Sequence, residues 1–478
     1  MPCPFSIFKG IYKLPPGCLL SLKLTDLRNK PADFSAQPDA GAVQRFWSVA
    51  AAVESGANSL VRDVGEAQER LEQTLSEAVR LRMISDVPLG AFLSGGIDSS
   101  MVVALMQRQA TGKVKTFSIG FHEAQYNEAT HAKLVAEHLG TDHTELYVTP
   151  AEAREVIPQL GSMYCEPFAD SSQIPTYLLS RMTRQRVTVS LSGDGGDELF
   201  GGYSRYAAAK RVWEVVGWMP AGLRAIVAQM IRVLSPAQWD RVLSVLGPVV
   251  PEYFALREAG GKAHKLAAAL EAATPERLYK QLVSHWGVLG EAVTDAEELT
   301  SVLDQVERWP GITSYLQHMC AMDMVSYLPD DILTKVDRAS MAVALEARVP
   351  LLDHRVVELA WRIPDSMKLK DGKGKAILRD LLYRYVPQEL VDRPKMGFGV
   401  PVGQWLRHEL RDWAEDLLDS TALKNEGFLE SSVIQDKWRE HLSGRVNWQY
   451  YLWDVLMFQS WLREWRSNAV LDRKICNG

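Results

Sequence analysis

The chain has 478 residues, 47% of them hydrophobic and 23% charged, with 53 lysine and arginine residues against 59 aspartate and glutamate residues. This length allows roughly two or three domains around a large core, and the net charge of −6 argues against a general nucleic-acid binder, which carries a basic excess. No apolar run is long enough to cross a bilayer, and the five scattered cysteines, which lack metal-site spacing, are typical of free thiols in a reducing compartment, so we expect a cytoplasmic protein with no membrane partner.

The first 45 residues are too few to form a domain of their own. Residues 5–24 contain two short apolar stretches around a Pro-Pro-Gly turn, which predicts a two-stranded hairpin. Residues 30–43 are rich in Pro, Asp, Ala and Gln, which predicts a linker. A single hairpin buries too little surface to be stable alone, so it must pack against the rest of the chain or against a missing part.

Residues 91–106 have the pattern of a buried strand, a glycine turn and a buried helix, and the turn at 94–99 is Ser-Gly-Gly-Ile-Asp-Ser. Turn amides and the positive end of the following helix bind phosphate, and Ser94 and Ser99 add hydroxyl donors. Asp98 would repel phosphate unless a magnesium ion lay between them. The two commoner phosphate motifs are absent from the sequence. What remains is the pyrophosphate loop of enzymes that split ATP between its α and β phosphates; the alternative is a glycine turn with incidental serines.

The elements around this turn alternate between helix and strand. The pattern predicts helices at 64–83, 128–139 and 175–186 and strands at 114–121, 145–148 and 187–191. Such alternation predicts an α/β fold, a parallel sheet with helices on both faces. Ligands bind at the carboxyl ends of such strands, where Ser94, Gly120 and Ser192 all lie.

Beyond residue 206 the pattern becomes helical. The predicted helical segments are 213–234, 263–272, 319–345 with a break near Pro329, and 450–465. We expect the tryptophans of the last segment to be core residues.

A second glycine-rich loop, residues 192–203, follows the strand at 187–191. Its Asp194 and Asp197 can face the same space as Asp98, and carboxylates from two loops suit a magnesium ion between phosphates. The alternative is a cluster of Asx-turns at the surface.

Charge that develops on a departing pyrophosphate needs a cation placed beforehand, and the sequence offers basic residues for this role. Lys375 lies where a glycine-rich stretch opens a helix; the alternative is a solvated surface lysine. Four charged residues within apolar sequence predict an ion-pair network beside the crevice, catalytic or structural: Asp337, Arg338, Glu346 and Arg348.

Six motifs together resemble the synthetase part of the glutamine-dependent asparagine synthetases: residues 94–100, 117–121, 166–172, 192–203, 335–340 and 393–399. The resemblance runs from about residue 75 to beyond 460. It implies a fold of the adenine nucleotide alpha hydrolase, or PP-loop ATP pyrophosphatase, type followed by a mostly helical C-terminal region. The implied division is a remnant of a glutaminase domain with its linker at 1–45 and a synthetase domain at 46–478, with a nucleotide-binding core at 64–206 and a helical part at 207–478.

The resemblance also implies a reaction. The β-carboxylate of aspartate attacks the α phosphate of ATP, giving β-aspartyl-AMP and pyrophosphate, and ammonia then displaces AMP. The implied ATP contacts are Leu93 and Ile119 near the adenine and Ser94, Gly95, Gly96, Asp98, Ser99, Ser192 and Gly193 at the phosphates. Asp98 and Asp197 match magnesium ligands, and Lys375 matches the lysine that stabilises the adenylation transition state. Asp194 matches a catalytic acidic position where many relatives carry Glu.

The start of the chain departs from the family pattern, in which the first residue after Met is a nucleophilic cysteine. Here the sequence begins Met1-Pro2-Cys3, so removal of Met1 would expose Pro2. We therefore expect no glutaminase activity in this polypeptide. Free ammonia, a separate glutaminase partner and a lost or late-assigned gene start remain open, as does the oligomeric state, a homodimer included.

Two other functions stay open. Relatives of this fold close β-lactam or lasso-peptide rings or amidate sugar acids, so the acid or the amine could differ. A non-catalytic nucleotide-binding scaffold is the third candidate, and the intact Asp98, Asp194, Asp197 and Lys375 argue against it.

Overall fold

The structure is a computed structural model that describes residues 1–22, 42–121, 128–234, 238–239, 242, 266–267, 269–272, 274–286, 292–296, 309, 311–393 and 399–476. Most of the predicted linker at 30–43, part of the predicted helix at 263–272 and residues 394–398 of the last motif lie outside the described residues.

Two sheets are present in the described part of the chain. Their strands are β1 Cys18–Leu20, β2 Val43–Arg45, β3 Leu89–Phe92, β4 Lys115–Phe121, β5 Asp142–Val148, β6 Val189–Leu191 and β7 Glu346–Arg348. The larger sheet has the order β5-β4-β3-β6-β7 and every pair in it is parallel. In its register Ala91 lies opposite Thr116 on one side and Leu191 on the other.

The described helices surround this sheet and fill the C-terminal half. They are α1 Val49–Ala57, α2 Val64–Arg82, α3 Ile97–Gln109, α4 Ala129–Leu139, α5 Pro150–Val156, α6 Leu160–Met163, α7 Gln173–Arg184, α8 Gly196–Phe200, α9 Ser204–Val216, α10 Ala221–Arg232, α11 Pro275–Val283, α12 Tyr315–Val325, α13 Thr334–Met341, α14 His354–Arg362, α15 Asp365–Lys368, α16 Ala376–Leu382, α17 Gln388–Val391, α18 Val402–Arg407, α19 Arg411–Leu417, α20 Ser420–Glu426, α21 Ser431–Leu442 and α22 Gln449–Cys476. A π-helix, Leu328–Leu333, and two 3₁₀ turns, Ile157–Gln159 and Pro350–Leu352, complete the set. None of these described helices has the combined length and apolar content needed to cross a bilayer.

Two hydrophobic cores lie on the two faces of the larger sheet. One contains Ala91 of β3 together with Leu71 of α2 and Met101 of α3. The other contains Phe117 of β4 together with Leu178 of α7 and residues of the C-terminal helix α22. Because apolar side chains must be covered on both faces, the sheet is enclosed by helices, which confirms the predicted α/β class.

Three predicted helices, α2, α4 and α7, and three predicted strands, β4 to β6, are confirmed to within three residues at each end. The predicted segment 319–345 corresponds to α12, the π-helix and α13, and the predicted segment 450–465 is the first part of the longer helix α22. The break near Pro329 is confirmed as the π-helix, since proline lacks the amide that would continue the α-helical ladder. The segment 213–234 is divided between α9 and α10, with Pro220 at the start of the second.

The predicted hairpin within residues 5–24 is wrong. β1 pairs antiparallel with β2, not with an earlier strand, and residues 5–12 form a single bridge between Phe5 and Tyr12. The carbonyl of Gly17 accepts hydrogen bonds from the amides of Phe46 (2.9 Å) and Trp47 (3.2 Å), which holds β2 beside β1.

Candidate active site

The first loop, residues 94–99, links β3 to α3 and is closed by its two serines. The hydroxyls of Ser94 and Ser99 lie 3.0 Å apart, and the amide of Ser94 donates to Ser99 Oγ at 3.2 Å. Gly95 has a left-handed φ of 72°, and a Cβ there would lie 2.9 Å from the backbone of α4. No side chain caps α3 at Gly96, so its first amides are available to an anion.

The second loop begins after β6 and interlocks with the first. Ser192 donates from Oγ to Asp194 Oδ2 at 2.7 Å. A Cβ on Gly193 would lie 2.6 Å from the amide nitrogen of Ser99, and one on Gly196 would overlap the Asp98 carboxylate. The glycines of this loop therefore create the space that lets the two loops meet.

Lys375 joins the two loops through its ammonium group. It lies before α16 with a left-handed φ of 61°, held by a hydrogen bond from its amide to the carbonyl of Phe200 at 2.9 Å. Its Nζ contacts the Asp98 carboxylate and lies 2.8 Å from Asp197 Oδ1. Burial lowers the pKa of Lys375, but Asp197 and Asp98 outweigh it and hold the pKa above its ordinary value. The lysine is buried and stays protonated, contrary to the surface alternative.

The donors around this ammonium group suit a magnesium ion. Asp98 and Asp197 converge on one cation, and carboxylate oxygens are ligands that magnesium prefers. Among the described residues no group of three or more His, Cys, Asp or Glu side chains forms a metal site. Two carboxylates, completed by phosphate oxygens and water, are the usual protein contribution to magnesium at a nucleotide.

The side chains of Leu93 and Ile119 are buried in the protein core. They are 1% and 3% exposed and belong to opposite cores. The amide of Leu93 donates to the carbonyl of Phe117 at 2.8 Å, which fixes the backbone at this edge of the sheet. An adenine at this position would therefore contact backbone.

Arg393 supports the first loop, although the sequence pattern assigned it no role. Its Nη2 donates to the carbonyl of Ser94 at 3.0 Å, and it lies 3.9 Å from the carboxylate of Glu128. Arg393 begins the motif 393–399, which marked it as a candidate, but nothing in that motif indicates that it binds the carbonyl of Ser94.

The predicted ion-pair network is not formed as one network. Arg338 pairs with Asp337, and Arg348 pairs separately with Glu346 while donating to backbone carbonyls of residues 82 and 84. Both members of the first pair lie on the outer side of α13, since the helical period turns Lys335, not Asp337 or Arg338, inward.

Lys335 forms the buried pair that the sequence prediction missed. Its Nζ donates to Asp170 Oδ2 at 2.7 Å and to Ser172 Oγ at 2.8 Å. Burial lowers the pKa of Lys335, while Asp170, Asp331 and Asp194 raise it, with a net increase. Asp194 of the second loop is therefore within electrostatic range of this pair.

Glu198 of the second loop and Asp323 of α12 are two further buried carboxylates near the site. Burial and Asp197 raise the pKa of Glu198 to about 7, and its carboxylate accepts a hydrogen bond from Tyr203 at 2.7 Å. Asp323 Oδ2 accepts hydrogen bonds from Arg205, Tyr206 and Tyr279, at 2.6, 2.5 and 2.6 Å.

Comparison with known proteins gives one family and several relatives. A sequence model described as Asparagine synthase matches residues 70–463. The chain is 29% identical over 411 residues to Asparagine synthetase (glutamine-hydrolysing) 1 of Bacillus subtilis, covering 86% of this chain and 60% of that protein. It is 29% identical over 466 residues to a putative asparagine synthetase (glutamine-hydrolysing) of Mycobacterium bovis, covering 96% of this chain and 65% of that protein. It is 32% identical over 345 residues to the putative asparagine synthetase (glutamine-hydrolysing) 2 of Methanocaldococcus jannaschii, covering 71% of this chain and 58% of that protein. The chain thus matches less than two thirds of the length of each of these relatives.

Proposed function

The chain belongs to the asparagine synthase family, and from that premise we propose that it is an ATP-dependent carbon–nitrogen ligase that converts L-aspartate to L-asparagine. The observation that carries this proposal is the bridge from Lys375 to Asp98 and Asp197, which brings three remote segments to one point. The nucleotide core proposed for 64–206 and the helical part proposed for 207–478 both contribute to that point.

ATP is proposed to bind across the two loops. The phosphates would lie against amides and hydroxyls of Ser94, Gly95, Gly96, Ser99, Ser192 and Gly193, with the adenine against backbone near Leu93 and Ile119. The uncapped start of α3 and the glycine-lined space between the loops support this placement.

Magnesium is proposed to be held by Asp98 and Asp197. When bound, the ion supplies positive charge that neutralises the phosphates and the pyrophosphate. Such an ion would also offset the repulsion between the Asp98 carboxylate and the phosphates that the first loop is proposed to bind.

Lys375 is the proposed catalytic cation of the first half-reaction. A carboxylate oxygen of the substrate attacks the α phosphorus, the bond to the β phosphate oxygen breaks, and pyrophosphate leaves with the electron pair. The protonated Nζ would donate hydrogen bonds to the oxygens that gain charge. A positioned charge of this kind contributes roughly 10²–10³-fold in rate.

Asp194 is the proposed proton acceptor of the second half-reaction. Ammonia attacks the acyl carbon of β-aspartyl-AMP, loses a proton to the carboxylate and displaces AMP. The hydrogen bond from Ser192 fixes the Asp194 carboxylate within the second loop, whose amides are proposed to bind phosphate. The side chain of Asp is one methylene shorter than that of Glu, so the backbone of this loop must bring the carboxylate closer to the substrate.

Ammonia is the nitrogen donor that we propose for this chain. Burial and Asp330 raise the pKa of the Cys3 thiol to about 11, which keeps the thiol protonated and poorly nucleophilic. That environment does not favour a thiolate nucleophile at Cys3, and the product assay below tests ammonia against glutamine directly.

A product assay tests the proposal. The protein is supplied with ATP, magnesium, aspartate and either ammonium or glutamine, and AMP, ADP, pyrophosphate, asparagine and glutamate are quantified. We expect AMP, pyrophosphate and asparagine in equal amounts with ammonium, and no glutamate from glutamine. Formation of ADP, or turnover with another acid but not aspartate, would overturn it.

A further inference from the structure

A second charged cluster lies beside the proposed catalytic centre and takes no part in the chemistry above. It comprises Asp170 and Lys335, which are hydrogen-bonded, Asp331 of the π-helix, and Tyr164. Asp331 and Asp170 both act electrostatically on Lys335 and on the Tyr164 hydroxyl. Asp194 of the second loop acts electrostatically on Lys335 as well.

The charges within the cluster do not balance. Two carboxylates, Asp170 and Asp331, face one ammonium group, and that group is hydrogen-bonded to Asp170. Burial and the charge of Asp170 raise the pKa of Asp331 to about 7, and the ammonium group of Lys335 is hydrogen-bonded to Asp170 rather than to Asp331.

Among the described residues, two other cations act electrostatically on Asp331, and each has a carboxylate partner of its own. Arg205 donates to Asp323 at 2.6 Å, and His285 lies 3.0 Å from Asp454. Each is within electrostatic range of Asp331, but the structure gives neither a hydrogen bond to it.

Two polar atoms at the cluster are buried without a hydrogen-bond partner in the described part of the chain. They are Oδ1 of Asp331 and the hydroxyl of Tyr164, whose side chain is 5% exposed. The Tyr164 ring is stacked on Phe168 at 4.6 Å, so its hydroxyl is held in place. Buried polar atoms without partners are costly, and an acceptor and a hydroxyl at one site are complementary to a small cationic donor.

We propose that Asp331 and Tyr164 bind the α-ammonium group of the acid substrate. The inference rests on the proposed function and adds to it the residues that recognise the amino group: the substrate is bound with its reacting carboxylate toward Lys375 and its ammonium group toward Asp331. The charge of the ligand balances the second carboxylate, and its N–H groups satisfy the two buried atoms. A sugar acid or a deaminated dicarboxylate would leave both unsatisfied, which gives selection against them.

The test compares two acids in matched variants. Aspartate and succinate carry the same two carboxyl groups, but succinate lacks the amino group. Pyrophosphate release is measured for the wild type, Asp331→Asn, Tyr164→Phe and the control Asp330→Asn. Asp330 is adjacent to Asp331, but its carboxylate accepts from the amide of Cys3 at 3.3 Å.

We expect kcat/KM for aspartate to fall about 10- to 100-fold in Asp331→Asn, the range for a hydrogen bond to a charged group. Tyr164→Phe should lower it less. Succinate turnover should be weak in the wild type and unchanged in both variants, with the KM values for ATP and ammonium unchanged. Asp330→Asn should behave as the wild type with both acids.

Three results would overturn the inference: an equal loss for both acids, an unchanged preference for aspartate, or a higher KM for ammonium alone. A wild type that turns over acids without an amino group in preference to aspartate would contradict both the inference and the proposed function. A thermal-shift measurement of aspartate binding in the presence of α,β-methylene ATP distinguishes failure of the inference from failure of the proposed function, since it needs no turnover. Stabilisation by aspartate of the wild type but not of Asp331→Asn supports the inference even where the product assay fails, and equal stabilisation of the two overturns it.

Discussion

The ammonium of Lys375 lies 2.8 Å from Oδ1 of Asp197, and the same ammonium contacts the carboxylate of Asp98. One buried cation thus joins the loop after β3 to the loop after β6. The left-handed backbone of Lys375 and its hydrogen bond to Phe200 aim the side chain inward.

Replacing Lys375 by Met should remove the positive charge while keeping an unbranched side chain of similar length. We expect pyrophosphate release to fall roughly 10²–10³-fold, because no positioned charge then meets the leaving group. The measurement is single-turnover pyrophosphate formation at saturating substrates. Lys373→Met is the matched control, since Lys373 is 65% exposed and pairs with Asp392 at the surface. Equal rates in the two variants would contradict the role given to Lys375.

Adding one methyl group at Gly202 should displace the same lysine. A Cβ there would overlap Lys375 Cε and Asp197 Oδ1. We expect Gly202→Ala to lose roughly 10²-fold or more in activity with a circular dichroism spectrum like that of the wild type, because the clash would move the proposed catalytic groups by about an ångström. Gly222→Ala, where a Cβ meets open space, should keep full activity. An active Gly202→Ala would mean that the observed lysine position is not the catalytic one.

Arg393 should matter for nucleotide affinity more than for chemistry. Its hydrogen bond to the carbonyl of Ser94 stabilises the first loop, so Arg393→Met should raise the KM for ATP about 10-fold with a small change in kcat. Steady-state kinetics with ATP as the varied substrate gives both values. A fall in kcat alone would assign Arg393 to the chemical step instead.

His441 predicts a specific pH dependence of stability. It is fully buried, with Nε2 3.0 Å from the carbonyl of Gly403 and Nδ1 3.2 Å from the amide of Trp448. A neutral ring satisfies both contacts, whereas protonation of Nδ1 would bring two N–H groups together. Burial, with Arg407 nearby, lowers the pKa of His441 to about 4.

Because the folded pKa lies below the unfolded value of about 6.5, the unfolded chain takes up the proton first as pH falls. This residue should therefore cost about 2–3 kcal/mol of unfolding free energy between pH 6.5 and 4, and nothing above pH 7. Urea unfolding across this range checks it, and the slope should be smaller in His441→Gln. If the free energy of unfolding fell equally steeply with decreasing pH in both proteins, another group would control the loss of stability in acid.

The sequence alone determined the local units of the site. The glycine turn at 94–99 follows an apolar strand and precedes an apolar helix, and this order is enough to predict a strand, a loop and a helix. The carboxylates of the second loop follow β6 directly, so the position of Asp194 and Asp197 at a strand end was predictable. Local hydrogen bonding and burial fix such units, because neighbours in sequence are neighbours in space.

Only the tertiary structure decided which remote segments meet. β7 completes the sheet from residues 346–348, and Lys335 reaches Asp170 across 165 positions. No periodicity reports such pairs, since a helix pattern shows that one face is buried but not what covers it. For the same reason the predicted network at Asp337 and Arg348 did not form: charge in an apolar segment indicates a partner, and the packing of α13 selects which charged residue turns inward to meet it.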